Sequence, residues 1–75
     1  MNLIKTYKAT PEPTLRRLPR YVHLLNKLRL DGLTEVSSTI IANEMNLDPT
    51  QVRKDIEYTG VTGKPKTGYN IEELI

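Results

Sequence analysis

Apolar residues recur at helical spacing from Leu15 onward: Leu15, Leu18, Val22, Leu25 and Leu28, with Tyr21 and Leu24 widening the stripe. One face of a first helix is thereby committed to a core. Asp31-Gly32 closes that segment, glycine being the usual residue just past a helix end. Pro19 lies within the pattern. It either begins the main helix or kinks one already started near Pro13, because proline has no backbone donor.

Beyond a short link with β-compatible Val36, Ser38 reads as the N-cap of a second helix, about Thr39 to Met45, with Ile40, Ile41 and Met45 inward. Asn46-Leu47 is a tight connection. Asp48 then caps a third helix, with Pro49 at its first position and Gln51 placed as the return partner of a capping box. That helix is expected to run to Tyr58 or Thr59 and to stop at Gly60. From Gly60 to Tyr69 the chain is too rich in glycine, proline and threonine for helix, and it predicts a two-stranded hairpin with a basic tip. Asn70 caps a last helix, with Glu73 at the matching box position. The abrupt end at Ile75 predicts a domain from a longer chain. Met1 to Thr10 reads as a mobile basic arm, and 11–75 as the domain proper.

Three helices, the second and third joined by a short turn, followed by a hairpin, form the winged-helix order. The expected class is mainly α with a small β-hairpin: a winged helix-turn-helix with a three-helix core and a wing.

Seventy-five residues make one small domain. There is no cysteine and a single histidine, His23, which leaves no disulfide and too few ligands for structural zinc. No apolar stretch approaches membrane-spanning length and no signal peptide is legible, so a cytoplasmic location is expected. A net charge of +2 does not by itself imply nucleic acid, but its distribution is informative. Arg16, Arg17 and Arg20 cluster on the first helix, Arg53 and Lys54 on the third, and Lys64 and Lys66 flank Pro65 in the wing, while Asp31 to Asp48 contains no base.

On the third helix, Val52, Ile56 and Thr59 share one face, while Thr50, Gln51, Arg53, Lys54 and Glu57 lie largely on the opposite arc. A major-groove helix needs such a polar face, since base edges offer donors and acceptors. Gln51 can pair with adenine, and Arg53 and Lys54 with guanine or phosphate. Lys64 and Lys66 suit phosphates or a narrow minor groove. Asp55 would repel phosphate and is expected to pair internally with Arg53 or Arg17. Tyr58 and Tyr69 flank the wing and are expected to pack it on the third helix; His23 is expected to be partly buried. Catalysis has little support. Glu72 and Glu73 diverge as helix neighbours, and the wing glycines lack the order of a phosphate-cradling nucleotide loop.

Arg17-Leu18-Pro19 with Tyr21, Val36-Ser37-Ser38, Gln51-Val52-Arg53-Lys54-Asp55 and Gly68-Tyr69-Asn70-Ile71-Glu72-Glu73-Leu74 together resemble the amino-terminal domain of Rex, the bacterial redox-sensing transcriptional repressors. The resemblance covers nearly all of Pro11 to Ile75. It implies a DNA-binding domain that is joined, in the family, to a Rossmann domain for NADH or NAD+. It further implies homodimers on an AT-rich inverted repeat, released by NADH. DNA contacts would then fall on Arg16, Arg17, Ser38, Thr50, Gln51, Arg53, Lys54, Lys64 and Lys66. No dinucleotide fingerprint is present, so no cofactor is expected in this chain. Since the family dimerises mostly through that second domain, a monomer is a reasonable expectation for this fragment. The sequence departs from the family pattern at Thr59 and Thr62, where phenylalanine is frequent, and at Pro65-Lys66, where an Arg-Gly pair is common. A protein-interaction module is the alternative reading. It would expose an apolar patch and bind with little salt dependence, whereas DNA binding depends steeply on salt.

Overall fold

The computed structural model describes residues 10–64 and 68–75. Helix α1 spans Glu12–Leu30, with Glu12 and Pro13 in its first turn. Pro19 therefore lies in the interior of one continuous helix that starts near Pro13, and it does not begin a new one. Its missing N–H leaves no donor to return to the Leu15 carbonyl. Thr14, Leu18, Tyr21, Leu24 and Leu25 are buried, while Leu15, Val22 and Leu28 pack at the margin of the core. His23 is exposed rather than partly buried. It stands two residues from both Tyr21 and Leu25, hence on the far side of the helix.

Strand β1, Glu35–Val36, leads into helix α2, Ser38–Met45. The N-cap is Ser37 and not Ser38: Ser37 keeps the extended backbone of β1 (φ −87°, ψ 156°), and its hydroxyl accepts from the Ile40 N–H at 3.1 Å. The inward face is Ile41, Ala42 and Met45, and Ile40 is 44% exposed. In so short a helix only one stripe is covered, and Ile40 falls about 100° away from Ile41.

Asn46 adopts the left-handed conformation (φ 56°) that reverses the chain, a role its short polar side chain tolerates. Asp48 then caps helix α3, Pro49–Glu57, accepting from Thr50 N–H at 2.7 Å. Val52 and Ile56 enter the core. Tyr58 closes the helix and is 41% exposed, so of the two tyrosines only Tyr69 packs against the core.

The expected hairpin is rearranged. Strand β2, Tyr69–Asn70, pairs antiparallel with β1 (Glu35 opposite Asn70, Val36 opposite Tyr69), not with the start of the wing. Within the wing the two arms meet at one bridge, with Lys64 and Gly68 exchanging backbone hydrogen bonds at 2.8 and 2.9 Å. β1 wins the pairing because Val36 must be buried and Gly68 lets the backbones approach. A Cβ on Gly68 would stand 2.4 Å from the Val36 carbonyl oxygen, and its φ of +82° also disfavours other residues. Asn70 caps helix α4, Ile71–Leu74, whose Ile71 and Leu74 complete the core. Of the basic arm, only Thr10 lies within the described residues, and it is buried.

Candidate nucleic-acid interface

α2 and α3 pack closely on one another, and α3 turns a polar surface outward. Thr50, Arg53, Lys54 and Glu57 are exposed along it, while Val52, Asp55 and Ile56 face the core. Arg53 is held by two hydroxyls: one Nη donates to Thr50 Oγ1 at 3.2 Å, and the other to Ser38 Oγ at 3.4 Å. The exposed face of α3 is thereby linked to the first turn of α2. An open cleft of about 410 Å³ lies in front of this link, between α2, α3 and the wing. Ser37, Ser38, Thr39, Arg53, Lys64 and Tyr69 line it, and among the described residues no carboxylate does. Two cations, four hydroxyls and the start of a helix make an arrangement suited to a phosphodiester.

Asp55 organises the interior side. Its side chain is fully buried. It accepts from Thr14 Oγ1 at 2.7 Å, Arg17 Nε at 2.7 Å, Arg17 Nη2 at 2.9 Å, Gln51 Nε2 at 2.9 Å and the Tyr21 hydroxyl. Burial pushes its carboxyl up, but the hydrogen bonds from Arg17, Tyr21, Thr14 and Gln51 outweigh that and hold it below the ordinary value. Burial, followed by the bond to Asp55, pushes the Tyr21 phenol up. The Arg17 guanidinium is raised chiefly by its hydrogen bond to Asp55.

The structure thus brings Ser38, Thr50 and Arg53 together, with Lys64 lining the same cleft and Lys54 exposed beside Arg53 on α3. Arg16 stands apart, in an exposed pair with Glu12 at 2.8 Å that adds little stability. Arg17 and Gln51 are turned toward Asp55 rather than displayed freely. Lys66 lies outside the described residues. Sequence reasoning passed over Thr39 and Tyr69 as cleft residues, and Thr14 and Tyr21 as partners of Asp55. Tyr21 falls one helical turn after Arg17, a signal that could have been used. Arg20 donates to the Met45 carbonyl at 3.2 Å, satisfying an open acceptor at the end of α2.

A three-helix core with a helix-turn-helix and a small sheet carrying a wing defines a winged-helix domain. Residues 9–57 match the family described as Putative DNA-binding protein N-terminus, and the chain belongs to that family. Similar proteins include several named Redox-sensing transcriptional repressor Rex. The protein of Treponema denticola is 50% identical over 68 residues (91% of this chain, 32% of that one). That of Bacteroides fragilis is 45% identical over 71 residues (95% and 32%), and that of Staphylococcus carnosus 40% over 65 residues (87% and 30%). A crystal structure of RSP in complex with beta-NAD+ and operator DNA superposes with a TM-score of 0.79 at 34% identity, covering 87% of this chain and 30% of that one. The resemblance to Rex read from sequence is borne out. The chain spans about a third of the length of these relatives.

Proposed function

We propose that this chain binds double-stranded DNA sequence-specifically, as the amino-terminal domain of a redox-sensing transcriptional repressor. α3 enters the major groove with Thr50, Gln51, Arg53 and Lys54 toward the bases. Ser38 and Lys64, with Lys66 of the wing, address the phosphates. The observation that carries this reading is the link from Arg53 to both Thr50 and Ser38. It presents a guanidinium, the best bidentate partner for guanine or phosphate, already ordered at the mouth of a basic cleft. Arg16 would reach a flanking phosphate, and Arg17 would act mainly through Asp55.

In the whole protein we expect a nicotinamide-responsive domain to follow, a homodimer to match an AT-rich inverted repeat, and repression to work by promoter occlusion rather than by catalysis. NADH would be bound by that domain and not by this chain. A cytoplasmic location accompanies this reading; in the structure no helix of the described residues is long and apolar enough to cross a membrane. Amide chemical-shift mapping with a 20-base-pair inverted-repeat duplex (about two helical turns) tests the assignment. The expected perturbations cluster on α3, the first turn of α2 and Lys64 to Gly68. Perturbations confined to the far side of α1, around His23 and Leu30, would instead favour a protein-docking domain.

A further inference from the structure

The contact between Gln51 and Asp55 has a chemical direction. An ionised carboxylate only accepts, so the Gln51 amide must turn its nitrogen, not its oxygen, toward Asp55 Oδ1, 2.9 Å away. Asp55 does not need this donor: Thr14, Arg17 and Tyr21 already supply four hydrogen bonds to its two oxygens. The bond therefore constrains Gln51 more than it satisfies Asp55. Gln51 sits in the first turn of α3, only half-buried, where side chains reach base edges. With one Nε2 hydrogen used, the second Nε2 hydrogen and Oε1 remain. Those two atoms are the donor–acceptor fork that matches N7 and the N6 amino group of adenine.

We propose that Asp55 is a positioning residue for base recognition, locking the Gln51 amide in the one orientation whose free fork takes an adenine edge. The proposal rests on the reading that α3 faces DNA bases. The lock reaches back to α1, because Asp55 is itself held by Thr14, Arg17 and Tyr21, all on that helix. α1 and α3 also share one apolar core, through Leu18, Leu25, Val52 and Ile56, and this polar cluster adds a directional tie between them. A glutamine ordered before binding also loses less side-chain freedom when the duplex arrives.

Selection from a randomised duplex pool, with the parent chain, Gln51→Ala and Asp55→Asn, tests the proposal. The parent should enrich a motif containing an adenine whose preference drops roughly tenfold in both variants, other positions being kept. Asparagine at 55 can donate as well as accept, so it no longer dictates the orientation of Gln51. A folded Asp55→Asn with the parent's preference at that adenine overturns the proposal, as does a motif with no adenine sensitive to Gln51→Ala. A parent that enriches no motif overturns the DNA-binding reading itself, and the proposal with it. Should Asp55→Asn fail to fold, side-chain amide NMR of the parent decides. Gln51 is the single glutamine of the chain, so its signals are unambiguous. One of its two amide hydrogens should exchange at least about tenfold more slowly than those of exposed Asn43. Two fast, equivalent hydrogens would overturn the lock.

Discussion

Arg17 on α1 and Asp55 on α3, 38 residues apart, are joined by two near-parallel hydrogen bonds, Nε to Oδ2 at 2.7 Å and Nη2 to Oδ1 at 2.9 Å. α3 is thus anchored to α1 by an ion pair set in a largely apolar core. Removing one partner strands the other's charge in a largely water-free site. Asp55→Ala should therefore cost about 3 kcal/mol, a large share of the stability of so small a domain. Urea unfolding measures it. A cost below about 1 kcal/mol would mean the pair is no stronger than a surface one.

The same cluster sets a pH profile. Asp55 is held below its ordinary 3.8, so its contribution is present above that value and is lost as pH falls through the depressed folded-state value. Tyr21 is pushed above its ordinary 10.0, so its contribution is present below 10.0 and declines as pH rises beyond it. Stability measured by urea unfolding should stay flat between these limits and fall at both ends. Tyr21→Phe should flatten the alkaline fall and, by taking one donor from Asp55, move the onset of the acid fall to higher pH. An unchanged alkaline slope in that variant would separate Tyr21 from the effect.

Adjacent serines should behave differently. Ser37→Ala removes the cap of α2 and should cost about 1 kcal/mol. Ser38→Ala leaves the cap intact and should change stability by less than about 0.5 kcal/mol, while freeing Arg53 from one of its two partners. Equal thermal shifts for the two variants would contradict the capping assignment.

Gly68 and Gly32 both have positive φ, but only Gly68 is crowded. Gly32→Ala meets open space and should cost about 1 kcal/mol in backbone strain. Gly68→Ala should cost more and should weaken the β1–β2 pairing, because its Cβ would overlap the Val36 carbonyl at 2.4 Å. Hydrogen exchange of the Val36 and Tyr69 region in each variant reads this out; equal protection in both would argue against the close approach.

Much of the fold was legible because its signals are local. Asp48-Pro49 and Asn70 marked helix starts through capping chemistry that depends on three or four neighbouring residues, and the α1 stripe follows from period alone. Errors arose where long-range packing decides. Ser37 and Ser38 are chemically equal as caps, and only the pairing of β1 with β2 chooses between them. The partner of β2 lies before α2, a pairing no hairpin pattern in Gly60 to Tyr69 could reveal. At the interface, exposed Arg53, Lys54 and Lys64 could be read from charge. Arg17 and Gln51 could not be sorted from them, since what turns them inward is one buried carboxylate whose donors come from two helices. Pairing of Asp55 with Arg17 was among the alternatives foreseen, but the added roles of Thr14 and Tyr21 depend on the crossing of α1 and α3.

Two basic residues should separate reading from holding. Arg53→Ala should lose about 1–3 kcal/mol of binding and relax base preference, whereas Lys64→Ala should weaken all sequences about equally and lower the salt slope by about 1. Competition titrations with operator and scrambled duplexes distinguish the two.

The most direct test of the central claim is fluorescence anisotropy with this chain, titrated into an AT-rich inverted-repeat duplex and into a scrambled duplex of equal composition, each at low and moderate salt. Sequence-specific DNA binding requires tighter binding to the inverted repeat and a steep loss of affinity with salt on both. No binding to either duplex even at low salt would contradict it.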